Sequence, residues 1–166
     1  VLLPAKDADC PMAHMAAVER IQEVRRQYPD VAVVCYVNSD AELKAHSDVC
    51  VTSSNAEKIV DALPNRHIYF IPDEHLGRYI AGRLPQKHFI FNDGFCHVHT
   101  EITSKELAKA RAAHPGALVL AHPECSRQVT GLADYVGSTA GIIAYAAQSE
   151  AEEFIVCTET GVFYQL

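Results

Sequence analysis

Two cysteines follow apolar stretches of the chain, at places where a thiol could bind a metal or attack a substrate. Cys10 comes shortly after the apolar residues Val1–Leu3, and Cys96 comes after the apolar run His88–Phe91. The second run ends at Asn92-Asp93-Gly94, which is a turn signal. In open α/β sheets the loops that follow the strands carry the chemistry. We therefore treat both thiols as candidate metal ligands.

Ionisable and amide side chains follow two other apolar runs. Tyr36 and Asn38 end one run, and His122 and Glu124 follow another. A proline separates His122 from Glu124 and fixes the turn between them. Groups that can donate or accept a proton after both runs suggest general acid–base catalysis, for which Glu124, Tyr36 and His122 are the candidates.

Two hydroxyl pairs, Thr52-Ser53 and Ser138-Thr139, stand where helices are predicted to begin. At a helix N-terminus a hydroxyl can cap the backbone, and it can also help to bind a phosphate or carboxylate. A cap is the better interpretation of either pair alone. Because the two pairs are related by a repeat and follow equivalent runs, we expect both pairs to bind an anion.

The two halves of the sequence are related by an offset of 86 residues. Shifting the chain by this amount places Cys10 on Cys96 and needs no gap. The same shift aligns Asp48 with Asp134 and the first hydroxyl pair with the second. We interpret the chain as two copies of one unit, residues 1–86 and 87–166, the second incomplete at its C-terminal end.

The repeat also bears on which residues could bind a metal. His97 and His99 could join Cys96 in a zinc site, but their counterparts in the first copy are Pro11 and Ala13, which cannot bind metal. One thiol per repeat instead suits a metal or cluster at the junction of the repeats. A third copy would supply a third cysteine, which we expect beyond Leu166.

Apolar runs alternate with segments of helical periodicity along the whole chain. This alternation predicts parallel βα units, and hence an α/β protein of repeated three-layer α/β/α units with short parallel sheets. The predicted strands are Val1–Leu3, Val31–Tyr36, Asp48–Val51, Arg66–Ile71, His88–Phe91, Ala117–Ala121, Asp134–Val136 and Glu153–Cys157. The predicted helices include Met12–Gln27, Glu74–Arg83, Lys105–Ala113 and Ala140–Ala147.

The bulk composition narrows the class of protein. A net charge of −7 without any basic run argues against a nucleic-acid surface, and the longest apolar runs are strand-sized, which argues against a membrane span. Six cysteines without a secretory signal favour reduced thiols in a cytoplasmic enzyme. Of these, Cys35, Cys50 and Cys157 lie inside apolar runs and are expected in the core. The apolar start and the abrupt end lead us to expect a fragment of a longer protein.

Seven segments together resemble bacterial and archaeal quinolinate synthase, the A protein of de novo NAD biosynthesis. The resemblance covers essentially all 166 residues. The segments are Tyr36–Ser39, Asp48–Ala56, Pro72–Gly77, Gly94–His99, His122–Cys125, Ala133–Thr139 and Thr158–Gly161.

The resemblance implies an architecture and a cofactor. Members of that family have three similar α/β domains around a pseudo-threefold axis, with one [4Fe–4S] cluster at the centre held by three cysteines. Units 1–86 and 87–166 would then be the second and third domains. By motif, Cys10 and Cys96 match two cluster ligands, and the third lies beyond Leu166.

The resemblance further implies the reaction. Quinolinate synthase condenses iminoaspartate with dihydroxyacetone phosphate and releases phosphate and water, with the cluster as a Lewis acid. Substrate-binding residues would be Tyr36, Asn38, Ser53, His122, Glu124, Ser138 and Thr139. The implied protein partner is the L-aspartate oxidase or dehydrogenase that supplies iminoaspartate. Two alternatives stay open: a non-catalytic module that binds phosphate or a dicarboxylate, and a zinc-dependent hydrolase.

Overall fold

Two short parallel β-sheets form the frame of the part of the chain that the structure describes. The computed structural model describes Ala5 and residues 8–166, so the predicted strand Val1–Leu3 lies outside the described residues. The first sheet has the strand order β2-β1-β3-β4 and the second the order β6-β5-β7. The strands are β1 (Ala32–Tyr36), β2 (Val49–Val51), β3 (His67–Ile71), β4 (His88–Phe91), β5 (Leu118–Ala121), β6 (Tyr135–Val136) and β7 (Phe154–Cys157).

Helices alternate with these strands along the chain. They are α1 (Val18–Gln27), α2 (Ala41–Ala45), α3 (Ala56–Ala62), α4 (Glu74–Arg83), α5 (His97–Thr100), α6 (Ser104–Ala113), α7 (Arg127–Thr130) and α8 (Thr139–Gln148), with 3₁₀ turns at Pro11–His14 and Thr160–Tyr164. All strand pairs are parallel, and helices are interleaved between them. The predicted α/β class with short parallel sheets is therefore confirmed.

Helices cover the first sheet on both faces. Alternate residues of β1 divide between two apolar clusters, with Val34 and Tyr36 in one and Val33 and Cys35 in the other. The first cluster includes residues of α3 and α4, and the second includes residues of α1 and α2. Because successive side chains of a strand point to opposite faces, a sheet buried on both faces needs a continuous apolar run, as β1 has.

Strand pairing in the second sheet reproduces that of the first at an offset of 86 residues. In the first sheet Ala32 pairs with Ile68 and Val34 with Val49. In the second, Leu118 pairs with Phe154 and Leu120 with Tyr135, and each of these residues lies 86 positions after its counterpart. The sequence offset thus has a structural basis in identical registers.

An arginine–aspartate pair is repeated at the same offset. In the first unit Asp48 accepts a hydrogen bond from the Val33 amide at 2.7 Å and one from Arg25 at 2.9 Å. In the second unit Asp134 accepts from the Val119 amide at 2.7 Å and from Arg111 at 3.1 Å. Each carboxylate therefore ties a helix to the start of the central strand.

The sheets divide after β4, which lies in the first sheet. The sequence repeat assigns His88–Phe91 to the second copy, yet this strand pairs with β3 over four residues, from His67 with His88 to Phe70 with Phe91. The opening strand of the second copy thus completes the sheet of the first. The boundary at residues 86 and 87 remains a prediction about the repeat.

Two local expectations are wrong. The predicted helix Met12–Gln27 is a 3₁₀ turn followed by α1, because the carbonyl of Met15 accepts a hydrogen bond from Asn92 at 2.8 Å and Ala17 is extended. Cys50 is exposed because β2 is an edge strand, whereas Cys35 and Cys157 are buried as expected. Among the helices of the described residues, none combines the length and the apolar character that crossing a membrane requires.

Candidate active site

Both candidate ligand cysteines occupy the same position in a loop. Cys10 directly precedes the 3₁₀ turn Pro11–His14, and Cys96 directly precedes α5, which begins and ends 86 residues later. Both residues have extended backbone, and both side chains are partly buried against the first apolar cluster. The repeat thus presents the two thiols from equivalent turns.

The two cysteine-bearing segments pack against each other. Asn92 donates its side-chain N–H to the Met15 carbonyl at 2.8 Å, and the amide of Phe95 lies 3.4 Å from the Met15 sulfur. Met15 ends the turn that begins after Cys10. The loop of Cys96 is therefore placed by the segment that carries Cys10.

Asp73 makes a second contact that holds the Cys96 loop in place. Asp73 accepts a hydrogen bond from the Cys96 amide at 3.0 Å, and its own backbone forms a parallel bridge with Gly94. A Cβ at position 94 would lie 2.5 Å from the carbonyl oxygen of Pro72, so only glycine allows this approach. The turn signal in the sequence thus reflects close packing of two loops.

Glu124 lies at the centre of a buried polar group with two histidines. Its side chain is 3% exposed, and its Oε2 lies 2.9 Å from Nδ1 of His99 and 3.9 Å from Nδ1 of His122. The imidazole rings of His99 and His122 stack with centroids 4.6 Å apart. On its other nitrogen, Nε2, His99 contacts the hydroxyl of Thr158 at 2.9 Å. Residues of α5, of the loop after β5 and of the loop after β7 therefore form one buried polar group around Glu124.

Two polar atoms of this group have no hydrogen-bond partner among the described residues. They are Oε1 of Glu124 and Nδ1 of His99, and both are buried. Nδ1 of His99 has an ion-pair contact with Oε2 of Glu124 at 2.9 Å, but the two groups are not aligned as a hydrogen bond. An unpartnered buried polar atom costs about 1–3 kcal/mol, so a site that keeps two of them is suited to a ligand or metal. This group is consequently the best candidate for the reactive centre.

Burial and neighbouring charge shift the pKa values of the candidate acid and base groups in different directions. Burial raises the pKa of Tyr36, and the carboxylate of Glu124 raises it further, so this hydroxyl keeps its proton. Burial opposes ionisation of Glu124, but its contact with His99 holds the pKa of this carboxyl below the ordinary value. Burial lowers the pKa of His122 to about 4, so this ring is neutral at pH 7. The site thus offers a base and a neutral acid side by side.

Burial also raises the pKa of two neighbouring groups, Cys96 and Asp73. The pKa of the Cys96 thiol is raised to about 11, with the amides of His99 and Val98 acting in the opposite direction. The pKa of Asp73 is raised to about 7, against the effect of its hydrogen bonds from Leu76 and Cys96. In the absence of a metal, Cys96 therefore carries its proton at pH 7.

The hydroxyl-bearing loops occupy different positions relative to this centre. Ser53 contacts Nε2 of His122 at 3.2 Å and does not cap α3, whose N-cap is Asn55. Ser138 caps α8 by accepting from the Gly141 amide at 3.2 Å, and Thr139 is the first residue of that helix. The structure thus favours a cap for Ser138 and a site contact for Ser53.

A cavity of about 590 Å³ lies between the two loops that carry the hydroxyl pairs. Its lining includes Ser53 and Ser138, and Pro123 between His122 and Glu124. Asn38 is exposed in the loop after β1, and its side chain makes no hydrogen bond within the described part of the chain. Ser53 therefore joins the cavity to His122, whereas Ser138 lines the cavity without a contact to His122 or Glu124 among the described residues, and Asn38 is not part of the lining.

The donor atoms at the centre suit a metal. The sulfur of Cys96, a ring nitrogen of His99 and a carboxylate oxygen of Glu124 lie within 4.8 Å of one another. Thiolate, imidazole and carboxylate together are typical ligands of zinc or iron, and thiolates alone are typical of iron–sulfur clusters. Cys10 is not a member of this group of donor atoms.

The sequence patterns assign no role to three residues of the site, His99, Thr158 and Asp73, although each lies in a segment that carries the resemblance. The repeat argues against His99 as a metal ligand, because its counterpart is Ala13. His99 stands three positions after Cys96, which is the N-cap residue of α5, so one turn of helix brings the two residues together, and this spacing could have indicated His99. No local signal pointed to Thr158, since it lies 59 residues from its partner.

The fold and site define a parallel α/β protein with a buried carboxylate–histidine centre beside a thiol. The model of the quinolinate synthetase A protein family matches residues 1–166. The chain is 49% identical to the quinolinate synthase of Caldicellulosiruptor bescii, 50% identical to that of Alkaliphilus metalliredigens and 49% identical to that of Methanoregula boonei. Each match covers 100% of this chain and 55% of the relative, so the chain spans about half the length of these curated relatives.

This chain belongs to the quinolinate synthetase A protein family. The resemblance in the sequence is confirmed over its whole length.

Proposed function

We propose that the protein is a quinolinate synthase, which condenses iminoaspartate with dihydroxyacetone phosphate to quinolinate and releases phosphate and water. Membership of the family supports the activity. The observation that carries the proposal is the buried centre in which Cys96, His99 and Glu124 converge, with an unpartnered oxygen on Glu124. Residues 1–86 and 87–166 are in this proposal two of three repeated domains, and the enzyme acts in the cytoplasm.

Cys10 and Cys96 are the residues of this chain that would hold a [4Fe–4S] cluster, with a third cysteine beyond Leu166. Their equivalent turns and their packing through Met15 support this assignment. With three thiolates, the cluster would supply a Lewis acid that polarises substrate oxygen or nitrogen atoms.

Glu124 is in this proposal the general base and Tyr36 the general acid. The lowered pKa of Glu124 leaves it ionised at neutral pH, and the raised pKa of Tyr36 keeps its hydroxyl protonated. His122 is held neutral by burial and contacts Ser53, so it can orient substrate or accept a proton at Nε2. Ring closure with loss of water needs repeated proton transfers, which such a set of groups provides.

The proposed substrate-binding residues include two serines that line the cavity of about 590 Å³. Ser53 and Ser138 line it from two different units, which supports contacts to the two carboxylates or the phosphate. Thr139 and Asn38 complete the proposed set, and the first turn of α8 offers backbone N–H groups to an anion. The substrates are small molecules, and an L-aspartate oxidase or dehydrogenase would supply iminoaspartate.

A zinc-dependent hydrolase is the second candidate. The Cys96, His99 and Glu124 set would give zinc three protein ligands and one open position, which is the usual catalytic arrangement. This candidate does not require Cys10. The two candidates therefore differ in metal content and in their dependence on one residue.

The test is anaerobic purification of the full-length protein, with analysis of iron, sulfide and zinc and an assay for quinolinate from the two substrates. Cys10→Ser and Cys96→Ser should each lose the iron and sulfide and the activity. Cys50→Ser, an exposed thiol on an edge strand, is the matched control and should retain both. A colourless protein that contains zinc and keeps its metal after Cys10→Ser would overturn the proposal and favour the hydrolase.

A further inference from the structure

Asp73 connects a helix to the loop that carries Cys96. It is 0% exposed and is the N-cap residue of α4. One carboxylate oxygen, Oδ1, accepts a hydrogen bond from the amide of Leu76 at 2.7 Å. The other oxygen, Oδ2, accepts a hydrogen bond from the amide of Cys96 at 3.0 Å. A single side chain thus holds the backbone of two segments 23 residues apart.

Helix capping alone does not require this arrangement. Asp40 caps α2 through one bond, from the Leu43 amide at 2.7 Å, and its side chain remains partly exposed. Asp73 caps its helix with one oxygen in the same way, but it is fully buried and uses the second oxygen for Cys96. The burial of a carboxylate is costly, so its second bond marks a function beyond the cap.

The surrounding contacts hold the same two segments in register. The amide of Glu74 donates to the Gly94 carbonyl at 2.7 Å, and Asn92 donates to the Pro72 carbonyl at 3.0 Å. Gly94 lies so close to Pro72 that a Cβ would collide with its carbonyl oxygen. Asp73 is the member of this set that bonds directly to the backbone of Cys96.

We propose that Asp73 is a positioning residue for Cys96, which fixes the backbone at this cysteine so that its sulfur meets the metal centre in one orientation. This inference rests on the proposed function, in which Cys96 is a cluster ligand. The position 86 residues later holds another carboxylate, Glu159, which caps the turn after β7 by accepting from the Gly161 amide at 2.6 Å. Loss of a partner that orients a metal ligand typically lowers metal affinity or activity by about 10–100-fold.

The variant Asp73→Ser separates the two bonds of the carboxylate. Serine is a good N-cap residue and keeps the bond to the helix, but its single short hydroxyl cannot also reach Cys96. In full-length protein purified without oxygen, we expect the cluster of Asp73→Ser to be lost to a chelator about 10–100-fold faster than that of wild type. The electron paramagnetic resonance signal of the reduced cluster should also shift. Asp40→Ser, which alters a cap away from the site, is the matched control and should match wild type in both measurements.

Asp73→Asn keeps the size of the side chain and leaves one oxygen acceptor for two amides, so it should also lose the cluster faster. Hydrogen exchange of the Cys96 amide in metal-free, full-length protein tests the contact independently of cluster assembly. Exchange should be faster in Asp73→Ser and unchanged in Asp40→Ser.

Cluster half-life, resonance signal and amide exchange equal to wild type in Asp73→Ser would overturn the inference and leave Asp73 as a cap. In that case a wild-type protein that contains iron and sulfide and makes quinolinate would leave the proposed function intact. A wild-type protein without iron and sulfide would instead refute the proposed function, and with it the role of Asp73 toward a cluster.

Discussion

Nδ1 of His99 and Oε2 of Glu124 approach to 2.9 Å in a place where both side chains are at least nine-tenths buried. The two residues come from different loops of the second unit, one after β4 and one after β5. The contact makes the state of the carboxylate depend on the histidine, because burial alone would favour the neutral acid. The chemistry that we propose for Glu124 therefore depends on a residue that no sequence pattern linked to it.

Replacement of Glu124 by glutamine tests the general base. The amide has almost the same shape but cannot accept a proton, so we expect kcat to fall about 10²–10⁴-fold. Substrate affinity and iron content should stay near wild type, because neither requires the carboxylate to titrate. Steady-state assays for quinolinate give kcat and KM, and iron analysis on the same preparation gives the metal content. Near-normal turnover in this variant would show that Glu124 is not the base.

Replacement of His99 tests whether its contact with Glu124 matters for activity. Asparagine places an amide nitrogen near the position of Nδ1, which faces Glu124, whereas glutamine reaches the position of Nε2, which faces Thr158. We expect His99→Asn to retain more activity than His99→Gln, and His99→Ala to retain least. The measurement is kcat of each variant at saturating substrate.

His97→Ala is the control for these variants, since His97 is an exposed neighbour on the same helix. It should leave kcat close to wild type. Equal activity of the asparagine and glutamine variants would mean that the contact between His99 and Glu124 does not set the rate.

The lowered pKa of the buried His122 should make the free energy of unfolding depend on pH. Its pKa is about 4 in the folded protein and 6.5 in an unfolded chain, so between these values the unfolded state binds more protons. Stability contributed by the neutral ring is therefore lost as pH falls from 6.5 towards 4, by up to about 3 kcal/mol. His122→Gln lacks this group and should lose less stability over the same range.

The measurement for His122 is the unfolding temperature of metal-free, full-length wild type and His122→Gln at pH 7.5, 6 and 5. Asp73 acts in the opposite sense, because its raised pKa of about 7 favours folding as pH falls. Asp73 is present in both proteins, so its effect cancels in the comparison. A stability difference that does not change with pH would contradict a depressed pKa for His122.

The repeated aspartates predict matched losses of stability. Asp48→Asn and Asp134→Asn each weaken a charged hydrogen bond to the central strand and an ion pair with arginine, at a cost of about 1–2 kcal/mol. Since the two sites lie in different sheets, the double variant should lose the sum. Denaturant unfolding of the full-length protein measures both effects. Glu19→Gln, an exposed change on α1, is the control, and a loss confined to one of the two aspartates would contradict their equivalence.

Local sequence determined the elements and the repeat. The strand Val31–Tyr36 was predictable because a sheet covered on both faces selects a continuous apolar run, and β1 spans Ala32–Tyr36. The offset of 86 was predictable because two units with the same strand register keep turn and strand residues at the same spacing. The polar residues Glu124, His122 and Ser53 were predictable because carboxyl ends of parallel strands gather at one edge.

Tertiary structure alone decided which side chains meet. The assignment of β4 to the first sheet depends on pairing with β3, and an apolar run carries no information about its partner. The contacts of His99 with Thr158 and of Asp73 with Cys96 join residues 59 and 23 positions apart, so they follow from packing and not from periodicity. Sequence thus placed the thiols and the acid–base candidates after their strands, while the fold supplied the histidine and the aspartate that hold them in place.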